Sequence, residues 1–177
     1  RFFLSAAPTR NRLRITVRVT DEHTAELAAA RPGTKVIFAG PYGAFTDASR
    51  TRNGLVLIGA GTDLAPIRSL LEVTTAHPAD TVVILRASGP ENLVLLDELR
   101  ELCDDRGIAL HLMTGPRHED HWVSLGYAGH DLATLAPDLE DSDVFVCGPG
   151  GFVDSVLAEA RGLGVSPEQC HEERLTL

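Results

Sequence analysis

The chain has 177 residues, 44% apolar and 23% charged, a balance suited to an α/β protein that buries one or two cores. No apolar run approaches the roughly 18–20 residues that span a bilayer, and no secretory leader pattern opens the sequence. Cys103, Cys147 and Cys170 are spaced too widely and irregularly for a disulfide framework or a zinc site, which points to a reducing, cytoplasmic setting.

The net charge of −9 divides into +5 over residues 1–52 and −14 over residues 53–177. That split suggests two domains with these boundaries. The basic part is either ordinary solvated surface or a face turned toward an anion: a flavin pyrophosphate, an acidic partner or a cytoplasmic membrane surface. No basic stripe carries interleaved aromatics, so nucleic-acid binding is not expected.

Residues 13–20 alternate apolar and polar side chains, the period of a half-buried strand. Thr24 reads as the N-cap of a short helix over residues 25–30 that stops before Arg31-Pro32-Gly33. Residues 35–39 form a second expected strand, between Gly33 and Gly40. Residues 47–53 are polar and unpatterned and read as a linker.

From Gly54 the period changes. Residues 55–58, 81–85, 108–113 and 144–147 are continuous apolar runs, as expected of strands covered on both faces. Between them Pro66 opens one helix, Leu93, Leu96, Leu99 and Leu102 recur at helical spacing, and residues 152–161 read as another helix. Residues 169–174 complete the pattern as an edge strand. Alternation of this kind predicts a doubly wound parallel sheet, with ligands beyond the C-terminal ends of its strands.

Two segments stand where such a sheet binds nucleotides. Gly59-Ala60-Gly61-Thr62 follows a buried strand and leads through Pro66 into a helix, whose unpaired N–H groups suit a phosphate. Cys147-Gly148-Pro149-Gly150-Gly151-Phe152 repeats the arrangement, expected at the far end of the sheet, with Cys147 partly accessible at a strand tip. The plain alternatives are a tight turn for the first and a small buried thiol for Cys147. Gly40-Pro41-Tyr42-Gly43-Ala44-Phe45, taken alone, is a turn between domains. His118-Glu119-Asp120-His121 reads as a solvated turn rather than a metal site, anchored by Trp122 and Tyr127.

Taken in order, these motifs resemble the ferredoxin–NADP reductase superfamily. The similarity is strongest to the dehydrogenase modules of ferric-reductase and NADPH-oxidase-like proteins. Gly59 to Pro66 looks like the family's G-x-G-x-G-x-x-P turn, Cys147 to Phe152 like its C-G-P-x-x-F/M turn, and Gly40 to Phe45 like its connector. The resemblance implies a partial antiparallel flavin barrel over residues 1–52, followed by an NAD(P)-binding Rossmann-like domain. It implies FAD, or FMN, packed near Phe2, Phe3 and Ser5, with Thr24 over its phosphates and Gly40, Tyr42, Gly43 and Phe45 along its other side.

For the nicotinamide nucleotide it implies Gly59, Ala60, Gly61, Thr62 and Pro66 at the pyrophosphate. Gly148 and Pro149 flank the nicotinamide, and Cys147 and Glu173 are the catalytic candidates. Arg86 stands near the ribose or pyrophosphate. Thr114 and Arg117 stand where relatives bind the adenosine 2′-phosphate, which favours NADPH over NADH; Arg117 is otherwise a solvated loop residue. Hydride would pass from the nucleotide to the flavin, and electrons on to an acceptor protein or haem domain, with a membrane domain expected upstream.

Four departures accompany the resemblance. The chain begins near the fourth strand of a barrel of about six, so the earlier strands are expected upstream or on a partner. The hydroxyl beside the flavin is displaced to Ser5, Asp63 replaces a usual glycine, and Arg174 follows Glu172-Glu173 where relatives carry an aromatic. They motivate two alternatives: a non-catalytic nucleotide-binding or interaction module, and an electron-transfer subunit completed by a partner chain.

Overall fold

Seven consecutive buried residues, Gly54–Ala60, form strand β1 at the centre of the molecule. In the computed structural model, which describes residues 2–40, 42–62, 64–117, 121–127 and 129–175, β1 pairs in parallel with β2 (Thr81–Ala87) on one side and β4 (Ser142–Pro149) on the other. Strands β3 (Ala109–Thr114) and β5 (Cys170–Leu175) complete a five-stranded, all-parallel sheet in the order β3-β2-β1-β4-β5. Helices α2 (Ala65–Val73) and α3 (Leu96–Arg106) cover one face, where Ile67, Leu71, Leu99 and Cys103 pack on Leu57, Val83, Leu85 and Phe145. Helix α5 (Gly150–Gly162) and the short α4 (Leu132–Leu135) cover the other with Trp122 and Val123, closing a second core around Ile58, Ile84, Met113 and Val146. Burial on both faces explains why these strands read as unbroken apolar runs rather than alternating ones.

The sheet order corrects one expectation. The second glycine turn is not at the far end of the sheet: after β3 the chain crosses back and lays β4 directly beside β1. The two turns are therefore neighbours at the centre, where strand order reverses.

Residues 2–52 differ more from expectation. Neither strand predicted over 13–20 and 35–39 is formed; the described residues show only isolated antiparallel bridges, Leu4 with Ile15 and Thr9 with Arg12. A strand needs a neighbour to complete its ladder, and the alternating pattern has none here. Val36, Ile37 and Phe38 are accordingly exposed, Ile37 by 91%. The helix is real but displaced: α1 spans Glu22–Ala28 and its N-cap is Asp21. Thr24 is the third helical residue and closes a reciprocal capping box, donating its N–H to Asp21 Oδ1 at 2.8 Å while its hydroxyl accepts from the Asp21 N–H at 3.1 Å.

The expected linker over 47–53 is tied down rather than loose. Asp47 accepts from the Thr74 hydroxyl at 2.6 Å and from Arg50 at 3.1 Å. Burial pushes the Asp47 carboxyl up, but these bonds outweigh it and hold it below the usual carboxylate range.

An ion network docks the N-terminal segment onto α2 and α3. Glu98 accepts from Arg14 and from Arg68, each at 2.8 Å. Arg68 also bonds Glu72, which accepts from the Ala7 N–H at 2.7 Å. The Arg14 hydrogen bond, set against a smaller effect of burial, holds the Glu98 carboxyl below its ordinary value; at Glu72 burial raises it, and the Ala7 and Arg68 bonds outweigh that. Groups depressed in the folded state stabilise above their unfolded value, 4.5 for both, and lose that contribution as pH falls through the lowered folded values. Acidification below about pH 4 is therefore expected to undock residues 4–16 before the sheet unfolds. The Ala7 amide resonance should move with this titration; an Ala7 resonance unchanged down to pH ~2 would show that Glu72 does not hold it.

Candidate functional site

The site is built where β1 and β4 end. Gly59 lies in register with Cys147, and Cys147 with Glu173 on β5. A side chain at Gly59 would stand 2.7 Å from Leu64 and 3.2 Å from Ile67, so its absence lets α2 seat against the strand end. The chain then turns through Gly61, whose φ of +83° suits glycine. The Gly61 N–H donates to the Arg86 carbonyl at 3.0 Å, fastening the turn to β2. Pro66 sits in the first turn of α2, where its missing N–H costs the helix no bond, and Leu64 offers no side-chain cap. Asp63, which stands where a glycine is usual, lies outside the described residues, as do Arg1, Pro41 and residues 118–120.

The second turn meets the first directly. A Cβ on Gly148 would lie 3.2 Å from the Ala60 Cβ, 3.4 Å from the Ala60 carbonyl oxygen and 3.0 Å from the Phe152 ring. Gly148 is buried and Pro149 exposed at the mouth. Cys147 departs from expectation: it is fully buried, because β4 is an inner strand covered on both faces. The cleft therefore receives its backbone neighbourhood rather than an accessible thiol. Glu173 is also buried, at 9% exposure, on the same face.

Arg174 lies opposite Gly148 in the register. It forms a paired contact with Glu172, 3.0 Å for each nitrogen, and reaches Asp154 on α5 at 2.8 Å. These bonds raise its already high pKa and keep it charged, and the two carboxylates offset that charge locally. Arg174 thus presents no uncompensated positive charge at the mouth.

One strand further out, Arg86 on β2 aligns with Ala60 and Met113 and faces the α5 side of the sheet. Its Nε is buried without a hydrogen-bond partner. Burial, and then the nearby Arg117, make its charged form harder to hold. Arg117 forms an antiparallel bridge with Ser124, a fully buried residue whose hydroxyl also lacks a partner. Thr114, half-buried, ends β3 beside them. Two guanidinium groups thus lie close together beside the end of β3. Arg86, expected apart from them near the ribose or pyrophosphate, lies beside Thr114 and Arg117. Ser124 was not foreseen, since a lone serine in a loop gives no sequence signal.

The expected flavin residues divide. The Ser5 hydroxyl is fully buried and takes bonds from Arg14 at 3.1 Å and Thr16 at 2.9 Å. Thr24 is committed to its capping box, and Phe45 packs edge-on against Phe145 at 5.1 Å. Phe2 and Tyr42 expose their rings, Tyr42 by 82%, and Phe3 is half-buried. Gly40 and Gly43 take φ of +134° and +114°. Among the described residues no cluster could hold a metal ion, and no helix is long and apolar enough to cross a membrane.

A parallel doubly wound sheet with two glycine turns in contact at the reversal of strand order defines a dinucleotide-binding domain. Residues 57–157 match the oxidoreductase NAD-binding domain family. The chain belongs to that family, within the ferredoxin–NADP reductase superfamily. It is 28% identical to the stachydrine N-demethylase reductase subunit Stc4 of Rhizobium meliloti (strain 1021), across 99% of this chain and 52% of that protein. It is 31% identical to the ferredoxin reductase component of 3-ketosteroid-9-alpha-monooxygenase from Rhodococcus rhodochrous, across 75% of this chain and 37% of that one. The chain thus spans about half the length, or less, of these curated relatives. Among solved structures, the flavohem-like FAD/NAD-binding domain of nitric oxide dioxygenase from Vibrio cholerae O1 biovar El Tor shares the fold, with a TM-score of 0.70 at 22% identity over 98% of this chain and 76% of that one.

Proposed function

We propose that this chain is the nucleotide-binding portion of an NAD(P)H-dependent flavin oxidoreductase that passes reducing equivalents to an acceptor protein or haem domain. The observation that carries this reading is the contact of Gly148 with Ala60, which makes one cleft of the two turns, with Arg86 and Arg117 at its end. The relatives named as reductase components support it.

The residues present fit a nicotinamide nucleotide. The Gly59–Thr62 turn, at the positive end of α2, receives the pyrophosphate. Gly148, without a side chain, lets the second turn seat against the first beside the nicotinamide, and Pro149 bounds the mouth. Arg86 and Arg117, with Thr114 beside them, take the 2′-phosphate, so NADPH is the preferred substrate over NADH. For the flavin, Phe2, Tyr42 and the Gly40 and Gly43 turns fit a ring system, whereas Ser5, Thr24 and Phe45 serve the protein's own packing. When bound, FAD or FMN supplies the hydride and electron chemistry. This chain's contribution is position: Cys147 and Glu173 shape the wall beside the nicotinamide.

The intact protein is expected to be yellow and to lose its flavin absorbance on addition of NADPH. A colourless protein indifferent to NADPH and to added FAD or FMN would overturn the proposal. Arg117→Ala is expected to raise the Kd for NADPH by about 10–100-fold, the effect of a lost charge-assisted bond, and to leave NADH within about twofold. Equal losses for both nucleotides, measured by calorimetry, would remove the 2′-phosphate assignment.

The exposed Ile37 and Phe38 favour a flavin half completed by strands beyond residues 2–52, from the same polypeptide or another. Recovery of flavin binding on addition of such a segment in trans would establish this.

A further inference from the structure

Glu159 lies in the last part of α5, beyond the residues that line the cleft. It nonetheless gathers donors from the segment that follows Arg117. Its Oε2 accepts from the Trp122 indole N–H at 2.6 Å and lies 3.3 Å from His121 Nε2; its Oε1 accepts from the Leu132 N–H at 2.7 Å. A carboxylate only 18% exposed gives charge-assisted bonds of more than ordinary strength.

Trp122 connects this hub to both ends of the cleft. It is 2% exposed, and its ring meets Phe152 edge-on at 6.1 Å. Phe152 is the side chain that abuts Gly148. In the other direction Trp122 is two residues from Ser124, which bridges Arg117, and the next rung is the Leu125 N–H donating to the Pro116 carbonyl at 3.1 Å. A shift of Trp122 therefore moves Arg117 and loosens the wall behind Gly148.

We infer that Glu159 is a positioning residue for the nucleotide cleft, holding Arg117 and the Gly148 turn in place through the Trp122 indole. The inference rests on the nucleotide reading above. It extends that reading to a residue with no atom in the cleft.

The test uses the full chain, with 2′-phospho-AMP and 5′-AMP as probes. Glu159→Ala is expected to weaken 2′-phospho-AMP about tenfold and 5′-AMP by less than about twofold. Trp122 is the single tryptophan, so its emission should shift to the red in the same variant. Glu159→Gln keeps an oxygen acceptor and should recover most of the affinity. Trp122→Phe keeps an aromatic ring in the core, loses the indole N–H with its five-membered ring, and should at least reproduce the loss seen in Glu159→Ala. That variant decides the matter if Glu159→Ala does not fold.

Unchanged affinity in Trp122→Phe, or a shifted emission in Glu159→Ala with unchanged affinity, overturns the inference and leaves the nucleotide reading intact. A wild-type chain that binds both probes equally overturns the inference and the 2′-phosphate assignment, and one that binds neither overturns the nucleotide reading as well.

Discussion

Gly148→Val is expected to abolish measurable nucleotide binding in a chain that still folds. A single Cβ at this position already meets the Phe152 ring at 3.0 Å and the Ala60 Cβ at 3.2 Å. Neither neighbour yields easily. Phe152 is wedged against Trp122, and Ala60 is strand backbone, held in register with Arg86. The γ-carbons of valine must push the two turns apart. Overpacking of this kind costs about 1–3 kcal/mol, less than the roughly 5–15 kcal/mol that holds a domain together. The sheet therefore survives with a lowered melting temperature. Binding does not share that tolerance, since displacing ligand-positioning groups by about 1 Å costs on the order of 100-fold. Gly148→Ala should fall between, because a few tenths of an ångström relieve its contacts. Calorimetric titration with NADPH beside a thermal melt separates the two effects. A valine variant that binds as tightly as the wild type would place the nucleotide somewhere other than between these turns.

The legible parts of this chain are those whose signal is local. β1, β2 and β4 announce themselves as apolar runs because each is buried on both faces, and Gly59 and Pro66 mark a strand end and a helix start by their own backbone chemistry. Adjacency is not local. Nothing near Ser142 says that β4 returns to the side of β1, and so Cys147 was expected at an accessible tip when an inner strand encloses it. The alternation over residues 13–20 is genuine, but a strand is a property of two segments, and the second is not found among the described residues.

Thr24 was misassigned because Asp21 and Thr24 are both good cap formers; only the reciprocal bonds decide which one begins the helix. Glu159 and Ser124 were invisible for a related reason. A glutamate in a helix and a serine in a loop are ordinary solvent-facing residues, until a distant segment folds over them. The glycine turns could thus be read directly, while the contacts of Glu159 and Ser124 could not.

The largest effect on stability is expected at Asp143, a carboxylate with no exposed surface at the start of β4. It accepts from the N–H groups of Thr51 at 2.7 Å and Arg52 at 2.6 Å, from the Thr51 hydroxyl at 3.2 Å, and meets His171 Nε2 at 3.0 Å. Asp143 aligns with Leu55, so one side chain fastens the end of the 47–53 segment to the second residue of β1. His171, stacked on Phe145 at 4.1 Å, cannot turn away without uncovering that ring. Asp143→Ala strands these donors together, and since each buried donor left unmet costs about 1–3 kcal/mol, the total is expected at about 3–5 kcal/mol. Asp143→Asn retains one acceptor oxygen and should cost about 1–3 kcal/mol, the toll of a donor left unmet. Guanidinium unfolding should show a lower midpoint at unchanged slope, because the surface buried in the sheet is the same. Hydrogen exchange at the Thr51 and Arg52 amides should accelerate ahead of the β1 amides, because these two donors lose their acceptor while the ladder keeps its own. A loss under about 1 kcal/mol in Asp143→Ala would mean that water replaces the carboxylate at little cost, and that the two parts of the chain are joined chiefly by the Glu98 and Glu72 network instead.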